Sequence, residues 1–187
     1  MLPAARRDEE PFMQQPPLLP RETLLRVLRL AKLDGSTILI ISGAFALLHA
    51  MGGDVSGAMV GLLVAGAGAI ELHGVGQLHE GEPRGMDWLV ASQLVLLFSI
   101  LAYCAVKLAQ VDIPPVPDAL APMIDASAER LDMTRDEYLR FIQRLSIQIV
   151  AGISILYQGG MALYYHRRRL PVRKALQEMA EDSLGGM

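Results

Sequence analysis

The chain has 187 residues, of which 52% are hydrophobic and only 5% are aromatic. This apolar share is above that of an ordinary soluble domain, and the formal net charge is −3, so we expect a lipid bilayer rather than a nucleic acid as its partner. The single cysteine, Cys104, excludes an intrachain disulfide and a cysteine-rich metal site.

Residues 1–20 hold five prolines and mixed charge, which predicts a flexible N-terminal tail. In residues 21–34, four apolar side chains recur at helical spacing while three cations lie on another face. The apolar set is Leu24, Val27, Leu28 and Ala31, and the cations are Arg26, Arg29 and Lys32. We interpret this segment as a basic amphipathic interfacial helix whose cations meet anionic lipid headgroups. It could equally form the first turns of one long helix that runs into the membrane.

Asp34, Gly35 and Ser36 predict a break before the first membrane helix. Four nearly uncharged apolar runs then follow, at residues 36–51, 55–78, 88–111 and 145–165. Three of them reach the length of about 20 residues that a crossing needs, and the first is shorter. We therefore assign residues 35–110 to transmembrane helices one to three and residues 141–166 to helix four.

The connections between these runs differ in length. Short glycine-rich turns at residues 52–54 and 79–85 make consecutive helices antiparallel neighbours. Residues 111–140 are polar and too long for a turn, and Thr134 and Glu137 have the spacing of a capping box that starts a long last helix. The sequence predicts an all-α polytopic membrane protein with four transmembrane helices in two hairpins and an extramembrane helical segment between helices three and four.

The cations set the expected orientation. They concentrate before helix one, in the second short turn at Arg84, and in the tail of residues 167–187, where a further short amphipathic helix is expected after the run of residues 166–169. By the positive-inside rule both termini, including this basic tail, are cytoplasmic and residues 111–140 are extracytoplasmic.

Small residues recur every fourth position along the second apolar run. They are Gly53, Gly57, Gly61, Ala65 and Ala69. Such a stripe lets another helix backbone approach closely, so we expect helix packing and a homo-oligomer built on it.

Polar residues in the apolar runs fall at similar depth. They are Glu71, Gln93, Gln158, Ser42 and Ser92. Polar groups in hydrocarbon usually pair with one another inside a bundle, so we expect a layer in which Glu71 is hydrogen-bonded by Gln93, Gln158, Ser92 or Ser42. This layer is either a proton- or cation-binding site or a purely structural contact between helices, unless helix two ends sooner and Glu71 reaches the headgroups.

The histidines do not form a metal or haem set in this sequence. His49 lies at the opposite end of the membrane from His73 and His79, and neither HExxH nor a Cys/His pattern occurs. A second polar group, formed by His49, Tyr103, Cys104 and Lys107, is expected near the outer surface, with Lys107 extending to the headgroups. No nucleophile–base arrangement is visible, so we expect no enzyme, no cofactor and no metal.

Three functional readings remain open. The first is a self-associating four-helix structural, scaffold or channel-like unit. The second is a small proton- or cation-coupled transporter that uses Glu71. The third is a membrane protein that binds a metal or cofactor through ligands from another subunit.

Overall fold

The structure, a computed structural model, describes residues 19–109 and 116–185. Over these ranges the chain is all-helical and contains no strand. Its helices are α1 (Pro20–Met51), α2 (Val55–His79), α3 (Gly85–Ala109), α4 (Ala121–Arg130) and α5 (Arg135–Gly185), with a 3-10 turn at Asp118–Leu120 before α4. The predicted tail of residues 1–20, except its last two residues, lies outside the described residues, as do residues 110–115 and 186–187.

Four of the described helices, α1, α2, α3 and α5, are long and apolar enough to cross a membrane. The prediction of an all-α chain with four helices of membrane-spanning length is therefore confirmed over the described ranges. Within these ranges α4 is the one α-helix too short to span.

Helix α1 runs for 32 residues without interruption, so the predicted break at residues 34–36 is wrong. Its buried positions Leu24, Val27 and Ala31 continue in phase at Gly35, and the helix has the same face against the protein throughout this stretch. The apolar face of residues 21–34 thus packs against the protein. The three cations of this segment are exposed on the other side.

Helix α5, with 51 residues, is the longest described helix. The predicted capping box starts it: the Glu137 carboxylate accepts hydrogen bonds from the Thr134 backbone N–H at 2.9 Å and the Thr134 hydroxyl at 2.8 Å. The expected separate helix in the tail is wrong, because α5 continues through Pro171 to Gly185. Although a proline inside a helix removes a backbone hydrogen bond, Val172, Ala175 and Leu176 just after it are buried, which offsets this loss.

Glycines set how closely the helices approach. A Cβ on Gly68 would lie 2.8 Å from the backbone oxygen of Gly35, and one on Gly61 would lie 2.9 Å from Ala46. Gly35 of α1 meets Gly68 of α2, and the later Ala46 of α1 meets the earlier Gly61 of α2. These two helices therefore run in opposite directions. Gly74 and Gly85 make a similar backbone approach between α2 and α3.

Eleven buried apolar residues form a cluster at one end of the structure, where α1 and α3 begin and α2 and α5 end. Its members are Leu24, Val27, Ala31, Val75, Leu78, Met86, Leu89, Tyr165, Val172, Ala175 and Leu176. We call this the basic end, because the exposed cations of α1, Arg84 and the cations of residues 167–174 surround it. The opposite end, with the turn at residues 52–54, is called the loop end.

Candidate functional site

A polar cluster lies directly beside the buried core, and each of the four long helices contributes to it. We call it the carboxylate cluster: Asp34 from α1, Glu71 from α2, Gln93 from α3, and Tyr157 and Tyr165 from α5. Glu71 is 1% exposed and Gln93 and Tyr165 are fully buried. Asp34 is half-buried and Tyr157 reaches the surface.

The two carboxylates share one amide group. The Nε2 of Gln93 donates to Asp34 Oδ2 at 3.0 Å and to Glu71 Oε2 at 3.0 Å, which uses both hydrogens of the NH₂ group. Each carboxylate also accepts one phenol hydrogen bond: Tyr165 donates to Glu71 Oε1 at 2.8 Å and Tyr157 donates to Asp34 Oδ1 at 3.1 Å. Both acids are therefore held by the same kinds of neutral donor.

The approach of α1 to α2 brings the two carboxylates together. Gly35 follows Asp34, and a Cβ on Gly35 would lie 3.2 Å from the Cβ of Glu71 and from the backbone oxygen of Gly68. A larger residue at either glycine would separate the helices at the level of the acids. The distance between the two carboxylates thus depends on two glycines that themselves carry no functional group.

No lysine or arginine among the described residues forms an ion pair with Asp34 or Glu71. The Oε1 atom of Gln93 is buried and accepts no hydrogen bond, and the same is true of Gln158 Oε1 on α5. A buried acceptor without a partner costs on the order of 1–3 kcal/mol. The cluster therefore combines two acidic groups, no protein cation and a spare amide oxygen.

Comparison with known proteins assigns no activity to this arrangement. The chain matches no protein-family model, no curated protein and no solved structure.

The predicted polar layer is only partly what the structure shows. Glu71 and Gln93 are buried together and hydrogen-bonded. Ser92 is buried but donates to the Leu89 carbonyl at 2.9 Å, so it is not a donor to Glu71. Gln158 is 8% exposed and makes no described hydrogen bond to Glu71, and Ser42 lines a separate cavity nearer the loop end.

Sequence reasoning missed Asp34, Tyr157 and Tyr165. The pattern of Asp34, Gly35 and Ser36 predicts a break, yet the buried positions from Leu24 through Ala31 to Gly35 show that the helix continues across it. Both tyrosines lie within the last apolar run, Tyr165 as its final residue, and an aromatic residue near the end of such a run is usually read as an interfacial anchor. The hydroxyl groups of both tyrosines instead point to the acids.

Helix α1 of the same chain occupies part of the predicted packing stripe. Gly57 faces His49, Gly61 faces Ala46, and Ala65 is buried. Gly53 lies in the turn with φ of +77° and has open space around it, and Ala69 is exposed. The close contact continues at Gly68 instead of Ala69, because an undistorted α-helix drifts away from a strict four-residue repeat.

The four residues of the predicted second polar group do not all line the same site. His49, Tyr103 and Lys107 line a cavity of about 530 Å³ between α1, α2 and α3 at the loop end, whereas Cys104 is buried and does not line it. His73 and His79 are exposed near the basic end. Within residues 19–109 and 116–185 there is no group of three or more His, Cys, Asp or Glu side chains that could hold a metal ion.

Proposed function

We propose that this chain is a four-crossing integral membrane protein of carrier or channel-like type, in which Asp34 and Glu71 together exchange one proton or one monovalent cation. The observation that carries the proposal is the NH₂ group of Gln93, which lies 3.0 Å from an oxygen of each acid. Two negative charges held this close in a low-dielectric interior repel each other. The pair therefore has affinity for one positive charge, and no described protein cation supplies it.

The phenol and amide donors around the two acids are neutral, which favours reversible binding of a proton or cation over a permanent ion pair. A lysine or arginine beside the acids would neutralise them permanently, while phenol and amide groups keep the geometry and leave the charge to be supplied from outside. The unpartnered Gln93 Oε1 adds an acceptor that a hydrated cation or a protonated group can use. Interhelical glue alone needs no pair of acids, since one amide pair holds two helices as well.

Proteoliposomes test this proposal. Vesicles with the parent chain and an internal pH dye should equilibrate an imposed proton or sodium gradient faster than empty vesicles. Glu71→Gln and Asp34→Asn keep the shape and hydrogen-bonding capacity of the acids but cannot ionise, so each should abolish the added flux while the protein still folds. Glu80→Gln is the matched control, because Glu80 is an exposed carboxylate at the end of the same helix.

Two results would contradict the proposal. One is a parent flux equal to that of empty vesicles. The other is a parent flux that both acid variants retain. Under either result the cluster would act only as a structural clamp between the four helices, and Tyr165→Phe should then still destabilise the protein by about 1–3 kcal/mol, because it leaves Glu71 Oε1 without its donor.

The topology belongs to the same proposal. We infer four crossings in two hairpins, both termini cytoplasmic, and residues 111–140 outside the membrane on the opposite side. The length of α5 supports this, because 51 residues span about 75 Å, more than twice the hydrocarbon thickness of about 30 Å. Exposed Arg26, Arg29 and Lys32 then lie within reach of anionic headgroups.

Reporter fusions test the orientation. Fusions at Gly53 and Pro117 should be extracytoplasmic, and fusions at Glu82 and the C-terminus should be cytoplasmic. A cytoplasmic Pro117 would be incompatible with four crossings.

A self-associating structural unit is the second candidate, and one observation favours it. The first half of α5 presents an exposed apolar row of Ile149, Ile153 and Leu156, at 51%, 61% and 78% exposure. This row, and not the glycine stripe on α2, is free for a second copy. A cysteine at Ile153 in a Cys104→Ala background should form a disulfide dimer in membranes if this candidate is right, and a cysteine at the buried Leu89 should not.

A further inference from the structure

The cavity at the loop end has an apolar body and a charged mouth. Its body is formed by side chains of α1, α2 and α3, among them Ile41, Phe45, Val60, Val64 and Val106. On α1 the lining extends from Ile41 to His49, which is about 12 Å of helix. The cavity is open to its surroundings, since Ile41, Phe45 and Val106 are each more than half exposed, and its volume of about 530 Å³ is within the range of sites that hold small organic ligands.

Charged side chains line only the mouth, and the polar groups of the body are the hydroxyls of Ser42 and Ser99. The Lys107 ammonium lies 5.8 Å from the centre of the Tyr103 ring and has no carboxylate partner within ion-pair distance among the described residues. Asp54 lines the same cavity, but its carboxylate already has hydrogen-bond partners within the turn. The Gly57 N–H and the Ser56 hydroxyl donate to Oδ1, and Oδ2 lies 2.8 Å from His49 Nδ1. Lys107 is therefore the charge at the mouth that has no described counter-ion.

The cavity is separate from the carboxylate cluster. Its nearest lining residue on α2, Val64, precedes Glu71 by seven positions, which corresponds to about 10 Å of helix. Helix α5, which supplies both tyrosines of the cluster, contributes no lining residue. A ligand in this cavity would therefore leave the acids untouched, and a test of one site does not depend on the other.

We propose that this cavity binds a single-chain anionic amphiphile, with its acyl chain between α1, α2 and α3 and its carboxylate or phosphate head on Lys107. The charge complementarity at the mouth and the apolar depth below it fit one chain with one acidic head. A free fatty acid and a lysophospholipid with a terminal phosphate share this chemistry.

Fluorescent cis-parinaric acid is the probe, with its uncharged methyl ester as the matched ligand. Both are titrated into the full chain in phosphatidylcholine nanodiscs. The parent should bind the acid with roughly tenfold higher affinity than the ester, the worth of one charge-assisted contact. Lys107→Gln should remove this difference, and Lys107→Arg should keep it.

A second pair of variants tests the apolar body of the cavity. Ala102 lines the cavity, while Ala105 is exposed on the same helix and does not. Ala102→Phe should fill the space and weaken the acid and the ester alike, whereas Ala105→Phe should change neither. If Ala102→Phe does not fold, the pair of Lys107 variants still decides the proposal.

Several results would overturn it. The first is equal affinity of the parent for the acid and the ester. The second is acid binding that Lys107→Gln, or a folded Ala102→Phe, leaves unchanged. The third is a lower mass of the protein complex in Ala102→Phe, which would mean that a second copy fills the cavity. Competition identifies the source: displacement by palmitate alone supports a fatty acid, and displacement by lysophosphatidate at lower concentration supports a phosphate head. Failure of both competitors would also overturn the proposal.

Discussion

The two ends of this protein are held together in different ways. At the basic end, the first turns of α1 and the last turns of α5 meet α2 and α3 around fully buried side chains such as Leu89, Tyr165 and Val172. At the loop end, α1, α2 and α3 surround a cavity, and large side chains such as Phe45 and Leu63, each 57% exposed, cover little of one another. The first half of α5 is largely exposed there.

The difference follows from the solvent that each end is expected to meet. Helices α1 and α5 are longer than a bilayer is thick, and under the proposed topology we expect their ends at the basic end to project towards water, where apolar side chains gain free energy by packing together. Lipid tails are as apolar as leucine, so the hydrophobic effect gives no such gain at the loop end. Close backbone approach at small residues, as between Gly61 and Ala46, has to hold the helices there.

The largest predicted effect is on the packed core. Leu89→Ala should lower the free energy of unfolding by about 2–5 kcal/mol, because Leu89 is fully buried and its truncation leaves a cavity. Leu63→Ala is the matched change at the loop end and should cost far less. Unfolding by SDS titration in mixed micelles measures both, and equal losses would show that the two ends do not differ in packing.

The next effect is on the close approach at the loop end. Gly61→Leu should destabilise by about 1–3 kcal/mol, because a Cβ would lie 2.9 Å from the Ala46 backbone and α1 would have to move. Gly66→Leu is the control five residues along α2, where a Cβ meets nothing within 4 Å. A thermal melt in detergent that moves equally for both variants would mean that the α1–α2 contact contributes nothing at this end.

The smallest effect concerns the turn that joins α1 to α2. Asp54 caps α2, and the hydrogen bonds from the Gly57 N–H, the Ser56 hydroxyl and then His49 lower the pKa of its carboxyl from 3.8 to about 2. Because the folded pKa is below its ordinary value, the carboxylate stabilises the fold at neutral pH, and this contribution disappears as the pH falls from about 4 towards 2.

Asp54→Asn tests this sign. The variant should have a slightly lower Tm than the parent at pH 7, and the two melting curves should converge as the pH approaches 2. Asp182→Asn, which removes an exposed carboxylate near the end of α5, is the matched control. A difference that grows on acidification would contradict the assigned direction.

The sequence predicts much of the fold but less of the site. Four helices of spanning length follow from composition alone, since a run of about 20 apolar residues has few other stable solutions. The start of α5 follows from the Thr134 and Glu137 spacing, because a capping box acts only through nearby backbone groups. The predictions of a break at residues 34–36 and of an earlier end to the last helix are wrong, since burial against other helices overrides local helix-breaking signals.

Local pattern singled out Glu71 and Gln93, since an acid and an amide in apolar runs are conspicuous wherever the helices lie. Only the tertiary structure could pair Glu71 with Asp34, because that pairing depends on the close approach of Gly35 to Gly68 and on the relative rotation of α1 and α2. Tyr157 and Tyr165 lie more than 60 positions further along the chain than Gln93, and they reach the two acids from α5. Sequence spacing within each helix carries no information on such contacts, since they arise from packing between helices.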